Sequence, residues 1–376
     1  MNVLIAPNNF KESISAANAA KCIESGIRSI TKEINTVCLP LSDGGEGFVD
    51  ALINAAGGSR VNCVVQDPLG RDIETHYGVI NEDTAVIEMA LASGLERLRD
   101  KEKDPWVTTS FGTGQLIYEA IEKGFRNILI GIGGSATNDT GLGMLQAMGV
   151  DFFDVNGMPV SYGGAQALSK VHRIDTSRLD ELINEVSFTV ACDVINPLFG
   201  TNGATYVYGG QKGADQKRLD MIEAGVCHFH HKTVEIRQLD FSQNHGAGAA
   251  GGIGYALMAY LRAKMRSGFD IVAQVVSLEE QVKRADVILT GEGKIDAQTL
   301  HGKVVFRLAK LAFKNSKSLI VIGGVLDESV VLEGVKNYFS ISQRAKNLKD
   351  SMENVEKHLF DIGIEIAHGW SKLNAN

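Results

Sequence analysis

The stretch Asn127–Gly149, NILIGIGGSATNDTGLGMLQAMG, decides how the chain is read. An apolar run from Ile128 to Ile132 stops at a glycine-rich turn carrying Ser135, Thr137, Asn138 and Asp139. Leu142, Leu145, Met148 and Val150 then recur at helical spacing. The pattern predicts a buried strand, a tight loop and a helix start, the unit from which α/β proteins are built. Loop amides and the positive end of a helix attract anions, phosphate above all. Glycine keeps side chains out of the way. Gly131-x-Gly133-x-x-Ala136 fits a relaxed dinucleotide fingerprint, and Asp151 and Asp154 stand near the distance of a ribose-binding acid. No Gly-Lys-Ser/Thr follows, so it is not a P-loop.

The chain has 376 residues, enough for two domains, and its 44% hydrophobic and 22% charged content suits a globular core. A net charge of −8 argues against broad binding of nucleic acid or anionic membrane. Five cysteines are scattered without a CxxC pair, which disfavours a metal or disulfide framework and fits a reducing compartment. The opening MNVLIAPNNF lacks a basic start and a long apolar run, and no stretch approaches the ~18 apolar residues of a membrane span. A cytoplasmic protein is expected.

Working outward, further strands end in loops rich in reactive side chains. Val3–Ala6 leads into PNNFKES, with Lys11 at the carboxyl end and Ser13 or Ser15 able to cap a helix to about Ser29. Thr36–Leu41 leads into SDGGEG, which holds Asp43 and Glu46 ahead of a helix Phe48–Ala56. Short strands follow at 61–65, 74–80 and 84–90. Arg71 lies beside Asp67 in the turn DPLGR, where it either holds the turn together or grips a ligand carboxylate bidentately. Thr108–Gly114 precedes a helix expected at 115–123, and its hydroxyls and glycines suit either an anion or simple capping. The strand 186–192 delivers Asp193, an acid expensive to bury without a partner and so a candidate general base or metal ligand. His228, His230 and His231 are expected at the surface, since nothing is spaced to complete a zinc site with them. A second glycine cluster, Gly246-x-Gly248-x-x-Gly251, has no strand before it, so a dinucleotide reading fails there; its glycines could still approach a ligand. The strand 285–290 leads into GEGKIDAQTLHGK, where acids, lysines and glycines suit phosphate with Mg²⁺.

Counting strands gives an α/β layout of two domains. A doubly wound, flavodoxin-like parallel-sheet domain at 1–57 and 280–376 is interrupted by a mixed α/β domain at 58–279. A cleft between them is expected, with Lys11, Asp43, Glu292 and Asp296 on one side and Ser135 and Asp193 on the other.

Together, IAPNNFKESIS, LSDGGEG, DPLGR, the IGIGGSATNDTGLGMLQAMG block, ACDVINPL, GAGAAGGIG and LTGEGKIDAQTLHGK resemble the bacterial glycerate kinase family, the type without a P-loop. These segments run in order from residue 5 to residue 303, and the lysine-bearing GGQKGA is kept. The sequence departs from the family at Asn8, where Asp is frequent. The resemblance implies ATP-dependent phosphorylation of D-glycerate with Mg²⁺, commonly giving 2-phosphoglycerate, on two α/β domains.

Residue chemistry and strand-end position then suggest roles. Asp193 would orient or deprotonate the glycerate hydroxyl, and Lys11 would stabilise the transferring phosphoryl group. Ser13, Arg71 and Asp43 would bind substrate. Gly133, Gly134, Ser135 and Gly291 would hold nucleotide phosphate, and Glu292 and Asp296 would coordinate Mg²⁺. The rivals are a nicotinamide-dependent oxidoreductase acting on a small hydroxy acid, resting on Gly131-x-Gly133-x-x-Ala136, and a non-catalytic ligand-binding protein on the same fold.

Overall fold

The structure is a computed structural model that describes residues 1–10, 13–42, 44–161 and 163–373. Its strands, in chain order, are β1 (Asn2–Ile5), β2 (Asn35–Cys38), β3 (Ser59–Gln66), β4 (Asp72–Ile80), β5 (Thr84–Glu88), β6 (Asn127–Gly131), β7 (Asp151–Phe153), β8 (Arg173–Asp175), β9 (Ser187–Ala191), β10 (Lys264–Arg266), β11 (Val287–Ile295), β12 (Ser318–Leu326) and β13 (Val335–Ser340). The chain folds as two units, Met1–Asp43 with Phe269–Asn376, and Gly44–Gly268.

In the first unit the sheet order is β13-β12-β11-β1-β2, with every neighbouring pair parallel. Numbered within the unit, this is the flavodoxin-like order, whose switch point falls between β1 and β11. Helix Ala16–Ile30 begins where Ser15 Oγ accepts from the Asn18 amide at 3.3 Å. It buries Ile23 and Ile27 in one core with Leu359 and Ile362 of helix Val355–Leu373. The chain closes in two helices, Leu348–Glu353 and Val355–Leu373.

The strand expected to end at Thr290 runs on to Ile295, still paired with β12 through Leu326. Glycines make that extension possible. A Cβ at Gly291 would lie 2.1 Å from the Ile322 carbonyl oxygen, and one at Gly324 2.4 Å from that of Gly293. GEGKI is therefore strand, and the turn begins only at Asp296.

The second unit is built on the sheet β10-β9-β6-β5-β4-β3, parallel from β10 to β5 and antiparallel at β4 and β3. Helix Phe48–Ala56 has the expected bounds but packs here: its Val49 and Ile53 lie against Gly78 of β4. The division thus falls after residue 43 and after residue 268, and residues 44–57 go with the second unit rather than the first. The 22-residue helix Gln216–Arg237 buries Leu219, Ile222, Val226 and Phe229 at helical spacing, together with the polar His230 and Thr233. One of those positions is His230, whose Nδ1 lies 3.0 Å from the Tyr255 hydroxyl while its ring packs on Phe199. The surface expectation fails for this histidine, which fills core; His231 is exposed.

Candidate active site

In each unit the candidate residues gather at the carboxyl edge of the parallel strands, where α/β sheets bind ligands. In the first unit the edge is built from the ends of β1 and β11. The Asn8 amide donates to the Gly291 carbonyl at 2.8 Å, and Thr290 Oγ1 donates to the Ala6 carbonyl at 2.8 Å, so the two strand ends are locked together. Asn8 is buried and its side chain accepts from the Asn9 amide. At this position the side chain organises the loop. Asn9 Oδ1 in turn accepts from the Ala16 amide at 2.6 Å, at the start of the first helix. Ser13 is half-buried in the turn between them, its amide donating to Phe10.

Glu292 is 6% exposed and accepts from Thr299 Oγ1 at 3.0 Å. Asp296 caps the following turn by accepting from the Gln298 amide, and pairs with Lys294 at 3.0 Å and Lys303 at 4.0 Å. The Lys294 contact above all holds its carboxyl below the usual range. Two carboxylates thus stand on one short segment. No group of three or more His, Cys, Asp or Glu side chains able to hold a metal occurs among the described residues. Mg²⁺ in phosphotransferases is usually held by one or two carboxylates, water and the substrate phosphates. This donor set fits an ion that arrives with a nucleotide, and does not make a resident metal cage. Lys11 and Asp43 lie outside the described residues.

In the second unit the edge carries the loops after β5, β6 and β9 and the turn between β3 and β4. The quoted stretch folds as expected into strand, loop and helix, but the helix is only six residues, Leu142–Ala147. Its amides are already satisfied. Asp139, fully buried, accepts from the amides of Ser110, Gly141 and Gly143 and from Ser110 Oγ, the last at 2.8 Å. Burial pushes its carboxyl up against the pull of those donors. The anion met by the Ser110 hydroxyl and by this helix start is the chain's own Asp139, while the Thr108 hydroxyl donates to the Ala136 carbonyl and the Thr109 hydroxyl accepts from the Phe111 amide. The helix expected from Gln115 begins at Phe111, and Gly112 and Gly114 sit inside it, facing Gln66 and Met144.

The loop glycines mostly serve loop-to-loop contact. A Cβ at Gly133 would stand 2.6 Å from the Gly45 Cα, and the Gly133 amide donates to the Gly44 carbonyl. Glu88, at the end of β5, closes the same arrangement by accepting from the Gly47 and Val49 amides at 3.0 and 3.1 Å. Burial pushes its carboxyl up to about 7 despite those two donors. The second glycine cluster, which sequence reasoning left open to a ligand, is filled by protein. A Cβ at Gly251 would fall 2.0 Å from the Thr137 carbonyl oxygen, and the Gly251 carbonyl accepts from the Thr140 amide.

Gly133 is half-buried, Gly134 exposed, and residues 135–140 are buried. Ser135 Oγ accepts from the Thr137 amide at 3.1 Å. Lys212, from GGQKGA, donates to the Thr137 carbonyl at 2.6 Å and to Ser135 Oγ at 3.4 Å. Sequence reasoning gave it no role; its only signal was a lysine set among glycines. Asp193 follows β9, next to β6 in the sheet, and is exposed. The burial argument made for it does not hold, although its strand-end place does. Arg71 lies at the same edge because β4 runs antiparallel to β5. It is paired with Asp67 and with Glu102, the latter at 3.0 Å, and its side chain is 49% exposed. Two carboxylates of the chain engage it, and about half of the side chain stays open to solvent.

The acids that a dinucleotide reading needs are also used structurally: Asp151 of β7 pairs with Arg178 of the helix Ser177–Leu182, and Asp154 accepts the amides of its own turn. Gly291 lies within β11, and the residues of the first unit's edge do not include the 133–135 turn. No helix of the described residues is long and apolar enough to cross a membrane.

A family model, "Glycerate kinase family", matches residues 3–371. A glycerate 2-kinase from Escherichia coli (strain K12) is 43% identical over 345 residues, covering 91% of this chain and 90% of its own. A glycerate kinase from Bacillus subtilis (strain 168) is 42% identical over 371 residues, covering 98% and 97%. A crystal structure from Salmonella typhimurium LT2, described as a glycerate kinase 2, superposes over 100% of both chains with a TM-score of 0.86 and 38% identity. The nicotinamide-dependent alternative finds no support among these kinases. The chain belongs to the glycerate kinase family of phosphotransferases.

Proposed function

We propose that this enzyme transfers the γ-phosphoryl group of ATP to the 2-hydroxyl of D-glycerate, giving ADP and 2-phosphoglycerate. The observation that carries the reading is the full-length family match, with a relative of similar length named a glycerate 2-kinase. Phosphoryl transfer asks for positioning and charge neutralisation more than for covalent chemistry. Asp193, exposed at a strand end, is assigned to orient the hydroxyl and accept its proton. The Gly133–Ser135 turn, exposed at Gly134, is assigned to nucleotide phosphate, and Gly291 keeps its own assignment to nucleotide phosphate from the sequence alone. Glu292 and Asp296 would hold Mg²⁺, which when bound neutralises charge on the phosphates. Lys11 and Asp43 keep their assignments to the transferring phosphoryl and to substrate from the sequence alone, and Ser13 keeps its own to substrate. Arg71 is assigned to the substrate carboxylate through the exposed side of its guanidinium.

The test is ADP release by the purified protein with Mg-ATP, with and without D-glycerate, followed by NMR of the product. Glycerate-dependent ADP with phosphorus coupled to the C2 proton is the expected result. ADP release indifferent to glycerate overturns the substrate, and coupling to the C3 protons overturns the position.

A further inference from the structure

Lys212 is the most sharply unusual charged group in the second unit. It is 2% exposed, and no other Lys or Arg among the described residues is buried. Its ammonium makes its contacts with neutral oxygens, the Thr137 carbonyl and Ser135 Oγ, and no described carboxylate lies within ion-pair distance. Asp139 attracts it from further off, yet burial still brings it down to about 7. A buried cation without an ion pair carries a large desolvation penalty, and an apolar side chain of the same length would be at least as stable. Stability is therefore a poor reason for a lysine here.

The backbone that delivers it is built for the purpose. Lys212 ends the short turn Gly210–Lys212, and the next residue, Gly213, has φ +101°. A Cβ at Gly213 would lie 2.1 Å from the Lys103 carbonyl oxygen, so the turn closes only with glycine. The ammonium is thereby fixed beneath the buried 135–137 turn, which follows directly on the exposed Gly134.

We propose that Lys212 is a positioning residue for phosphoryl transfer: it braces the Ser135–Thr137 turn from inside and places a positive charge behind it, so that the turn's outer face holds a phosphate oxygen of the nucleotide. This rests on the reading of the Gly133–Ser135 turn as the nucleotide phosphate site. The charge acts through the loop rather than by contact with the ligand. In a low-dielectric interior it is little screened, which makes it effective at that distance.

The experiment compares wild type, Lys212→Met and Lys212→Arg by steady-state kinetics, by calorimetric Kd for ADP, and by thermal unfolding. Lys212→Met is expected to raise KM for Mg-ATP and Kd for ADP at least tenfold, leave KM for D-glycerate within twofold, and melt at or above the wild-type temperature. Lys212→Arg should recover most of the nucleotide affinity. A Lys212→Met enzyme with unchanged nucleotide KM and Kd overturns the inference, and so does one whose only defect is a lowered melting temperature. Should Lys212→Met not fold, ¹³Cε-lysine NMR of the wild type decides, with the Lys212 signal identified by its loss in Lys212→Arg. Saturating ADP should move its titration to higher pH, and no movement overturns the inference. Wild type that fails the glycerate-dependent ADP assay removes the parent reading instead, and this inference with it.

Discussion

The two sheet edges hold their charges differently. In the first unit Asp296 is paired near the surface with Lys294 and Lys303, while Glu292 is buried on the Thr299 hydroxyl. In the second unit Arg71 is paired with Asp67 and Glu102, but three further ionic groups are withdrawn. Asp139, Glu88 and Lys212 are buried and meet amides, hydroxyls or a carbonyl rather than opposite charges. Paired groups near water can exchange partners at little loss, which suits ligands that come and go. Buried groups bound to backbone amides cannot exchange without breaking the loop, which suits a rigid frame. Asp296 and its lysines thus offer adaptable ionic contacts, and the second edge a fixed frame on which Asp193 is exposed.

The strongest way to break this comparison is Asp193→Asn. If the exposed acid on the fixed frame takes the hydroxyl proton, kcat should fall by about 10²–10⁴-fold at unchanged fold. A near-normal kcat would move the chemistry off the second unit's edge altogether. Next is Asp139→Ala, which strands the Ser110, Gly141 and Gly143 amides and the Ser110 hydroxyl. Each buried donor left unsatisfied costs about 1–3 kcal/mol, so a loss on the order of 3–5 kcal/mol is expected in denaturant unfolding. A loss below about 1 kcal/mol would mean that the frame is not held by this carboxylate.

Glu88 sharpens the comparison through pH. Its folded value of about 7 lies above the ordinary value of 4.5, so the folded state binds the proton more tightly. Its contribution is present below about pH 4.5 and is lost as pH rises through 7. Glu88→Gln should therefore gain stability relative to wild type between pH 5 and pH 8, by on the order of 1–3 kcal/mol. Lys212 should show the reverse slope. Its folded value of about 7 lies below the ordinary 10.5, so wild type gains on Lys212→Met as pH rises from 7 towards 10. Melting curves across pH 5–10 check both signs. The smallest effect is expected at a surface pair of the first unit, Arg344 with Glu365. Arg344→Ala should change stability by less than about 1 kcal/mol and weaken further in salt, as exposed pairs do.

Much of this protein could be read without coordinates. Runs of apolar residues ending in glycine, and apolar residues at helical spacing, are local signals. They gave the bounds of helix Phe48–Ala56 and the strand-end placing of Ser135 and Asp193. The ordered set of short motifs gave the family. What the sequence could not say is which backbones meet. Gly133, Gly251 and Gly291 look like ligand glycines in one dimension; in space they face Gly45, Thr137 and Ile322. The helix 48–56 carries the same apolar stripe whichever sheet it joins, and Gly78 opposite Val49 and Ile53, with Glu88 accepting from the Val49 amide, places it in the second unit. Lys212 reads as an ordinary solvated lysine, because burial is set by residues 75 and more positions away. Local pattern determined the elements and the edges on which chemistry can sit. Long-range packing decided which glycines are structural and which charges lose their water, since desolvation depends on the whole surroundings of a group and not on its neighbours in the chain.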